Sequence, residues 1–526
     1  MEDIIIRGGT VIDGTGKPGF RADVAVKDGK ISAIGDLSGV SARKELDASG
    51  LVVSPGFFDA HCHSDTSFVA DDSCGAKLYQ GITTEVCGQC GYSPFPAQPD
   101  KTALVEQAEG TPAGWYQQSF ADFIAKFEKE GRKMGTNLAP LVGHGSLRAG
   151  VIGYADRPVT PEELEEMKRL LRRDLEAGAW GMSLGLEYTP GCFADQQELS
   201  ALGAVVKEYD GLMPAHLRNE GLKLEDAIQE LLNAGRASGV HVHISHLKID
   251  NYRCHGKAPQ IWKMIEDARA EGVHVTADMY PYLASSTGLT NRCPKWALEG
   301  GDSAIEQVLA GPRRQEVLDF IRETHYHNAE RAATAIIQND HGYWPEIVGK
   351  SLKEIAEDML HMDYPEAAAE ILTRTHGRAK GIFFVMSEED MLYFLNRDVG
   401  ICTDGYAFPI DPSKMTTRPH PRSYGALTEF LRLAREKKIC SLEEAVRRIT
   451  SKAADMIGMT DRGVLKEGMV ADITVFDPET IAPQATYMDP VQPAKGVHHV
   501  LIGGGLALEN GVQTAARCGR ILRKQH

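Results

Sequence analysis

No apolar run in this chain of 526 residues approaches the ~18 needed to span a bilayer. The opening stretch, MEDIIIRGGT, also lacks the basic leader and long apolar segment of a secretion signal, and passes straight into strand-like residues. Positive charge is the next shortage. Lys and Arg number 57 against 73 Asp and Glu, a formal net charge of -16. The basic surface that phosphate contacts require is missing, which argues against a nucleic-acid partner. Cysteines number ten, scattered along a long chain. That suits reduced thiols better than a disulfide framework. These shortages together predict a cytoplasmic protein with neither membrane nor nucleic acid as partner. What remains is an ordinary globular composition, 42% hydrophobic and 25% charged, long enough for more than one domain.

The first 50 residues read as short strands: Ile4–Ile6 before Gly8-Gly9, Thr10–Ile12 before Asp13-Gly14, Asp23–Val26 before Asp28-Gly29, and Ile31–Ile34 before Gly35. Such punctuation predicts hairpins. The texture returns at Ala471–Phe476 and His499–Ile502. Two β-rich ends form one unit if the middle is compact and its termini lie close together. The middle alternates strand and helix. Strands are predicted at 57–61, 83–86, 138–142, 180–184, 212–216, 240–246, 273–279, 382–386 and 400–403, and helices at 161–176, 224–238 and 258–271. Repeated βα units over about 400 residues favour a (β/α)8 barrel, with a doubly wound sheet as the alternative. Nine candidates exceed eight, so at least one lies outside the barrel. Ser441–Met456 reads as one closing helix with a capping box of Ser441 and Glu444. Residues from about 288 to 350 break the pattern, with a breaker at Gly311-Pro312, and read as an inserted lobe over the rim. The expected division is a β-sandwich from 1–56 and 456–526, around a barrel at 57–455.

The chain is organised around GFFDAHCHSD, residues 56–65. Residues two apart on a strand share a face, so His61 and His63 project together, with Asp59 beside them. Further donors follow other predicted strands: Cys90 in CGQCG, His216 in MPAHLRNEG, His246 in HISHLK, Asp404 in GICTDG. Each has an ordinary reading. Cys87 and Cys90 form a CxxC pair, but flanking glycines do not suit a redox helix, and Cys87 reads as a small buried residue. His216 alone is more often structural, and Asp404 forms a turn. His241 and His243 stand an odd number of residues from His246, so they face away and are expected non-ligands. Six metal-compatible residues at five strand ends, all on one rim, nevertheless predict a metal site. Three such ligands with an open position describe catalytic zinc, and a carboxylate nearby shuttles the proton. A metal-assisted hydrolase is the reading from residues alone.

The motifs DAHCHSD, GGTVIDGTG, ADVAVKDGKISAIG and DRGVLKEGMVADITVFDP resemble the amidohydrolase superfamily, in which a zinc barrel carries a β-sandwich built from both chain ends. More closely, GITTEVCGQCGYSP, GHGSLRAG, GMSLGLEYTPG, AHLRNEG, YPYLASSTGL, TDG and PHPRSYG resemble the N-acyl-D-amino-acid deacylases. The resemblance covers nearly the whole chain in order. It implies a tightly bound zinc on Cys90, His216 and His246, and a second, weaker position at His61 and His63 that Cys90 bridges. Asp404 becomes a metal-site residue and the general acid/base, moving a proton from the attacking water to the departing amine. Lys248, Tyr280, Ser286 and Arg422 grip the substrate's α-carboxylate, and Tyr188 touches its side chain. His144 in GHGSLR lies near. No lysine ends the second, third or fourth strand, which fits the cysteine-bearing branch. Gln89 and Leu247 replace the more usual asparagine and histidine. Arg292 and Lys295 read either an acidic substrate side chain or, as preferred here, are solvated charges. The implied substrate is a small N-acyl-D-amino acid. A D-residue dipeptide or a cyclic amide is the alternative, and a non-catalytic scaffold the remote one. Oligomeric state stays open.

Overall fold

The computed structural model describes residues 1–97, 112, 114–415 and 417–525. Both chain ends meet in one nine-stranded sheet. Its order runs Val512–Gln513, Gly505–Glu509, Val497–Ile502, Ile473–Phe476, Val52–Pro55, Glu2–Val11, Phe20–Lys27, Lys30–Gly35, and Ala42–Asp47 also pairs with Glu2–Val11. The join is the antiparallel pairing of Val52–Pro55 with Ile473–Phe476, over 400 residues apart. This sheet closes over its own apolar core, including Ile6, Val24, Val53, Ile473 and Leu501. Gly8-Gly9, expected to end a strand, is a register shift within one strand, because Gly8 takes a φ of 66° at no side-chain cost. Asp28-Gly29 is the predicted hairpin turn, both residues at positive φ.

Eight parallel strands make the barrel: Phe57–Asp59, Ile82–Cys87, Asn137–Pro140 continued by Val142–Gly143, Met182–Gly185, Leu212–His216, His241–Ile244, Val275–Met279 and Gly400–Ile401. The bridge between Cys62 and Gly405 closes the ring. Helices at Pro161–Glu176 and Leu224–Ser238 match their expected spans. The first is fixed at its start by a capping box of Thr160 and Glu163, a device that stabilises a helix by about 1 kcal/mol. Its face of Leu164, Met167, Leu171 and Leu175 is buried in the barrel's main core.

Three expectations need correction. Residues 382–386 do not join the barrel. Lys380–Phe384 pairs antiparallel with Ala284–Gly288 and Ala335–Asn339, so a β-rich run that looked like a barrel strand belongs to the lobe. The lobe's elements therefore extend well past residue 350, around a separate core that includes Leu289, Ile305, Leu318, Ile337, Ile371 and Phe383. The closing helix is two, Leu442–Arg448 and Ser451–Ile457, broken where Thr450 leaves helical geometry at φ -133°, ψ -96°. Ser441 caps Glu444 N, but the Glu444 carboxylate turns away to Arg447 and Arg448, so the reciprocal half of the capping box is missing. Among the described residues, no helix is long and apolar enough to cross a membrane.

Candidate metal centre and its cavity

The strands stop before the residues that matter. The first ends at Asp59, two residues short of His61, and the sixth at Ile244, two short of His246. Strand alternation is therefore not what aims these side chains. Cys90, His246 and Asp404 instead hold left-handed backbone, at φ of 53°, 38° and 47°. Non-glycine residues keep such geometry where their surroundings over-determine it, and it concentrates at functional sites. The loop carrying Cys90 is pressed tight against its neighbours: a Cβ on Gly185 would lie 1.9 Å from the Cys90 carbonyl oxygen.

Two of the donor groups on the rim share one thiol. Cys90, His216 and His246 make the first; His61, His63, Cys90 and Asp404 make the second. Cys90 Sγ lies 3.4 Å from His246 Nε2, 3.8 Å from His216 Nδ1 and 3.3 Å from His61 Nε2. Asp404 Oδ1 lies 3.0 Å from His63 Nε2 and 3.6 Å from His61 Nε2. All these residues are buried except His63, whose side chain keeps 22% exposure.

The histidines' outer nitrogens decide what the inner ones do. His216 Nε2 lies 2.9 Å from Glu187 and His246 Nδ1 lies 3.1 Å from Glu220. A ring N–H donated from His216 Nε2 to Glu187 leaves His216 Nδ1 as a lone pair, which faces His246 Nε2 at 3.0 Å; His246 Nδ1 itself lies between Glu220 and the Lys248 ammonium, 2.9 Å away. Two ring nitrogens that close, with a thiol beside them, make a donor set that a cation would bridge. This donor set fits zinc, with carboxylates orienting the ring ligands from outside. Burial pushes the Cys90 thiol well above its ordinary value, with Asp404 adding to the effect. Burial also lowers His61 and His246 well below the imidazole value. Burial alone would raise the Asp404 carboxyl. The Arg422 guanidinium, 2.8 Å away, and the surrounding histidines outweigh it and hold the group well below the carboxylate range.

A cavity of about 410 Å³ opens on this centre, a size suited to a small-molecule ligand. Lys248, Tyr280, Ser286, Arg422 and Tyr188 all line it. Their contacts differ. Lys248 Nζ is held by Glu220 at 2.7 Å and lies 2.9 Å from His246 Nδ1. Tyr280 lies beneath the Arg422 guanidinium, 4.6 Å from its ring centroid, with an unpartnered hydroxyl. Ser286 Oγ donates to Gln338, and the Tyr188 hydroxyl lies 3.1 Å from Thr287 Oγ1.

His144 does not line the cavity; it is buried against Glu198 at 2.7 Å. His241 stacks on His274 and His243 bonds Thr276 and Asp278, so neither enters the donor groups. Arg292 overturns its solvated reading: it is buried, lies 4.2 Å from the Phe383 ring centroid and lines the cavity. Lys295 is half-buried, 3.8 Å from Glu187. Glu187 and Glu220 were missed. Both lie inside recognised motifs, beside Tyr188 and four residues after His216, and that position was the available signal.

The sequence profile of the amidohydrolase family matches residues 44–291 and 406–506. N-acyl-D-glutamate deacylase of Alcaligenes xylosoxydans xylosoxydans is 36% identical over 99% of this chain and 96% of its own. The chain belongs to the amidohydrolase family, in its N-acyl-D-amino-acid deacylase branch. D-aminoacylase of the same organism is 32% identical, over 99% of this chain and 98% of that enzyme. The crystal structure of N-acyl-D-glutamate deacylase from Bordetella bronchiseptica, complexed with zinc and a phosphonate that mimics the tetrahedral intermediate, aligns with a TM-score of 0.84 at 34% identity. It covers 99% of each chain. The stretch this amidohydrolase leaves unmatched by the profile, 292–405, begins at Arg292 and spans most of the lobe.

Proposed function

We propose that this chain is a zinc-dependent hydrolase that cleaves the linear amide of small N-acyl-D-amino acids, giving a carboxylate and a free D-amino acid. The observation that carries this reading is the pair of donor groups sharing Cys90 at the mouth of the cavity, with Asp404 against them. Cys90, His216 and His246 would hold the tighter ion, and His61, His63 and Asp404 with Cys90 a weaker one. When bound, zinc supplies Lewis acidity to the scissile carbonyl and to water. Asp404, ionised by its cationic surroundings, takes a proton from the attacking water and delivers it to the amine as that leaves. Arg422, whose Nη1 pairs with Asp404, and Tyr280 beneath it would offer the remaining guanidinium N–H groups and a hydroxyl to the α-carboxylate. Ser286 lies on the same wall, and Tyr188 borders the side-chain space. Lys248 acts there by holding Glu220 and His246 Nδ1 together. All ten cysteines are free thiols, which suits the cytoplasm.

The deciding experiment is amine release from paired N-acetyl-D- and N-acetyl-L-amino acids, run beside dipeptides and hydantoins. Preference for N-acetyl-D-amino acids is the expected result. Turnover of a cyclic amide with silence on acyl-amino acids would discard the substrate.

The side chain read is acidic. Arg292 is a buried guanidinium on the cavity wall whose Nη2 has no hydrogen-bond partner, and its nearest carboxylate, Asp250, stands off at 3.7 Å. A substrate carboxylate would complete it. Replacing Arg292 with Leu should cost about 10²-fold in kcat/KM on N-acetyl-D-glutamate, the worth of one charge-assisted hydrogen bond set. N-acetyl-D-leucine should be unaffected or turned over faster. Equal losses on both substrates would remove Arg292 from the specificity wall.

A further inference from the structure

Directly beneath the rim, three ionisable side chains with no part in the chemistry above are sealed from water. Lys77, on the short helix Gly75–Leu78, is fully buried, as are Asp59 and Glu85. The Lys77 ammonium lies 2.5 Å from Asp59 Oδ2, 2.7 Å from Thr403 Oγ1 and 3.4 Å from Glu85 Oε2. Asp59, Cys62 and Glu85 converge like a cation site, and the ammonium is the cation in it. Burying such a charge is costly, and an apolar side chain would pack the space more cheaply. The arrangement calls for a purpose other than stability.

Most of its hydrogen bonds lead to segments at the rim. Asp59 Oδ1 accepts from Thr403 N at 2.8 Å and faces His61 N at 3.4 Å. The Thr403 hydroxyl donates to Asp59 Oδ2 and accepts from Lys77 and from Gly405 N at 3.0 Å. Glu85 accepts from the hydroxyls of Ser64 and Thr136, each at 2.5 Å. The partners flank the rim residues in sequence: Asp59 and Ser64 on either side of His61 and His63, Thr403 and Gly405 on either side of Asp404. Main-chain bonds lace the same two segments, Asp404 N to His61 O at 2.9 Å and His63 N to Gly405 O at 2.8 Å. Asp404 keeps its left-handed backbone between two residues tied to Thr403 Oγ1 and Asp59.

We propose that Lys77, acting through Asp59 and Thr403, is a positioning residue that sets the Asp404 carboxylate against His61 and His63. The proposal depends on the roles assigned above to those three residues. It does not touch substrate and takes no proton. The ammonium locks the ends of the first and eighth strands together, where the barrel closes.

Thr403→Val tests it with the buried charged groups left in place, and Thr403→Ser restores the hydroxyl. Groups that orient metal ligands typically change affinity or activity ~10–100-fold. Thr403→Val should therefore lower kcat about 30-fold with KM within about threefold, and weaken the second equivalent of zinc at least ~10-fold in a competition titration. The first equivalent should bind as in the parent, and Thr403→Ser should recover both properties. Lys77→Met should give the same pattern more strongly; if it does not fold, the Thr403 pair decides alone. Parental kcat and parental second-ion affinity in Thr403→Val overturn the proposal, as does a Thr403→Ser no better than the valine. A parent silent on every N-acyl-amino acid ends the proposed function instead, because the metal titration reads the positioning without turnover.

Discussion

Asp404→Asn should lower kcat by about 10³-fold on the best N-acyl-D-amino acid, within the range that general acid–base groups contribute. That loss corresponds to roughly 4 kcal/mol of transition-state stabilisation. Asparagine keeps the shape and one ligand oxygen but has no affinity for the proton. The carboxylate is fixed by His63 at 3.0 Å on one oxygen and Arg422 at 2.8 Å on the other, so the amide keeps one of these contacts and loses the other. Zinc measured on the same preparation separates the two duties of this residue. Zinc retained at the parental level with activity lost identifies the proton carrier. Activity within tenfold of the parent would remove Asp404 from that role.

The second large effect belongs to Cys90, the one donor common to both groups. Four-ligand zinc sites in small domains are worth roughly 10–16 kcal/mol, so a single thiolate accounts for about 3 kcal/mol, or ~10²-fold in affinity. Cys90→Ala should lose that much at the tighter position and empty the weaker one, abolishing turnover at ordinary zinc concentrations. His63→Ala, touching only the second group and half-exposed, should leave the tighter ion bound. Affinity should also depend on acidity. Burial raises the thiol, so zinc must displace a proton from it, and apparent affinity falls as pH falls. Calorimetry in buffers of different ionisation enthalpy reads that proton directly. Binding without proton release would mean that Cys90 is not a ligand.

Much of this was legible in the sequence, and the failures are instructive. Pro161–Glu176 and Leu224–Ser238 were readable to the residue because apolar positions recur at helical spacing over three or more turns. Three barrel strands were predicted two residues too long at the rim, 57–61, 240–246 and 400–403 against Phe57–Asp59, His241–Ile244 and Gly400–Ile401. His61 and His246 look like strand continuations, yet the chain has already turned. Sequence alternation gave the correct neighbours for an incorrect reason. Lys380–Phe384 is as β-rich as any barrel strand, and only its antiparallel partners distinguish it. The charged partners were hidden for a different cause. Lys77 meets Thr403 across 326 positions, and Glu187 meets His216 across 29. No local periodicity encodes such pairings. The neutral expectation for Arg292 failed because a lone arginine carries no signal of its own burial.

The lobe's separate core has a consequence for how this enzyme can change. The proposed metal donors and Asp404 lie in segments that end before Leu289 or begin after Phe384. The lobe nevertheless contributes Arg292, Gln338, Asn339, His341 and Lys380 to the cavity wall. Substitutions there would reshape the wall without touching the segments that carry the proposed donors, so substrate preference could change while the reacting centre is kept.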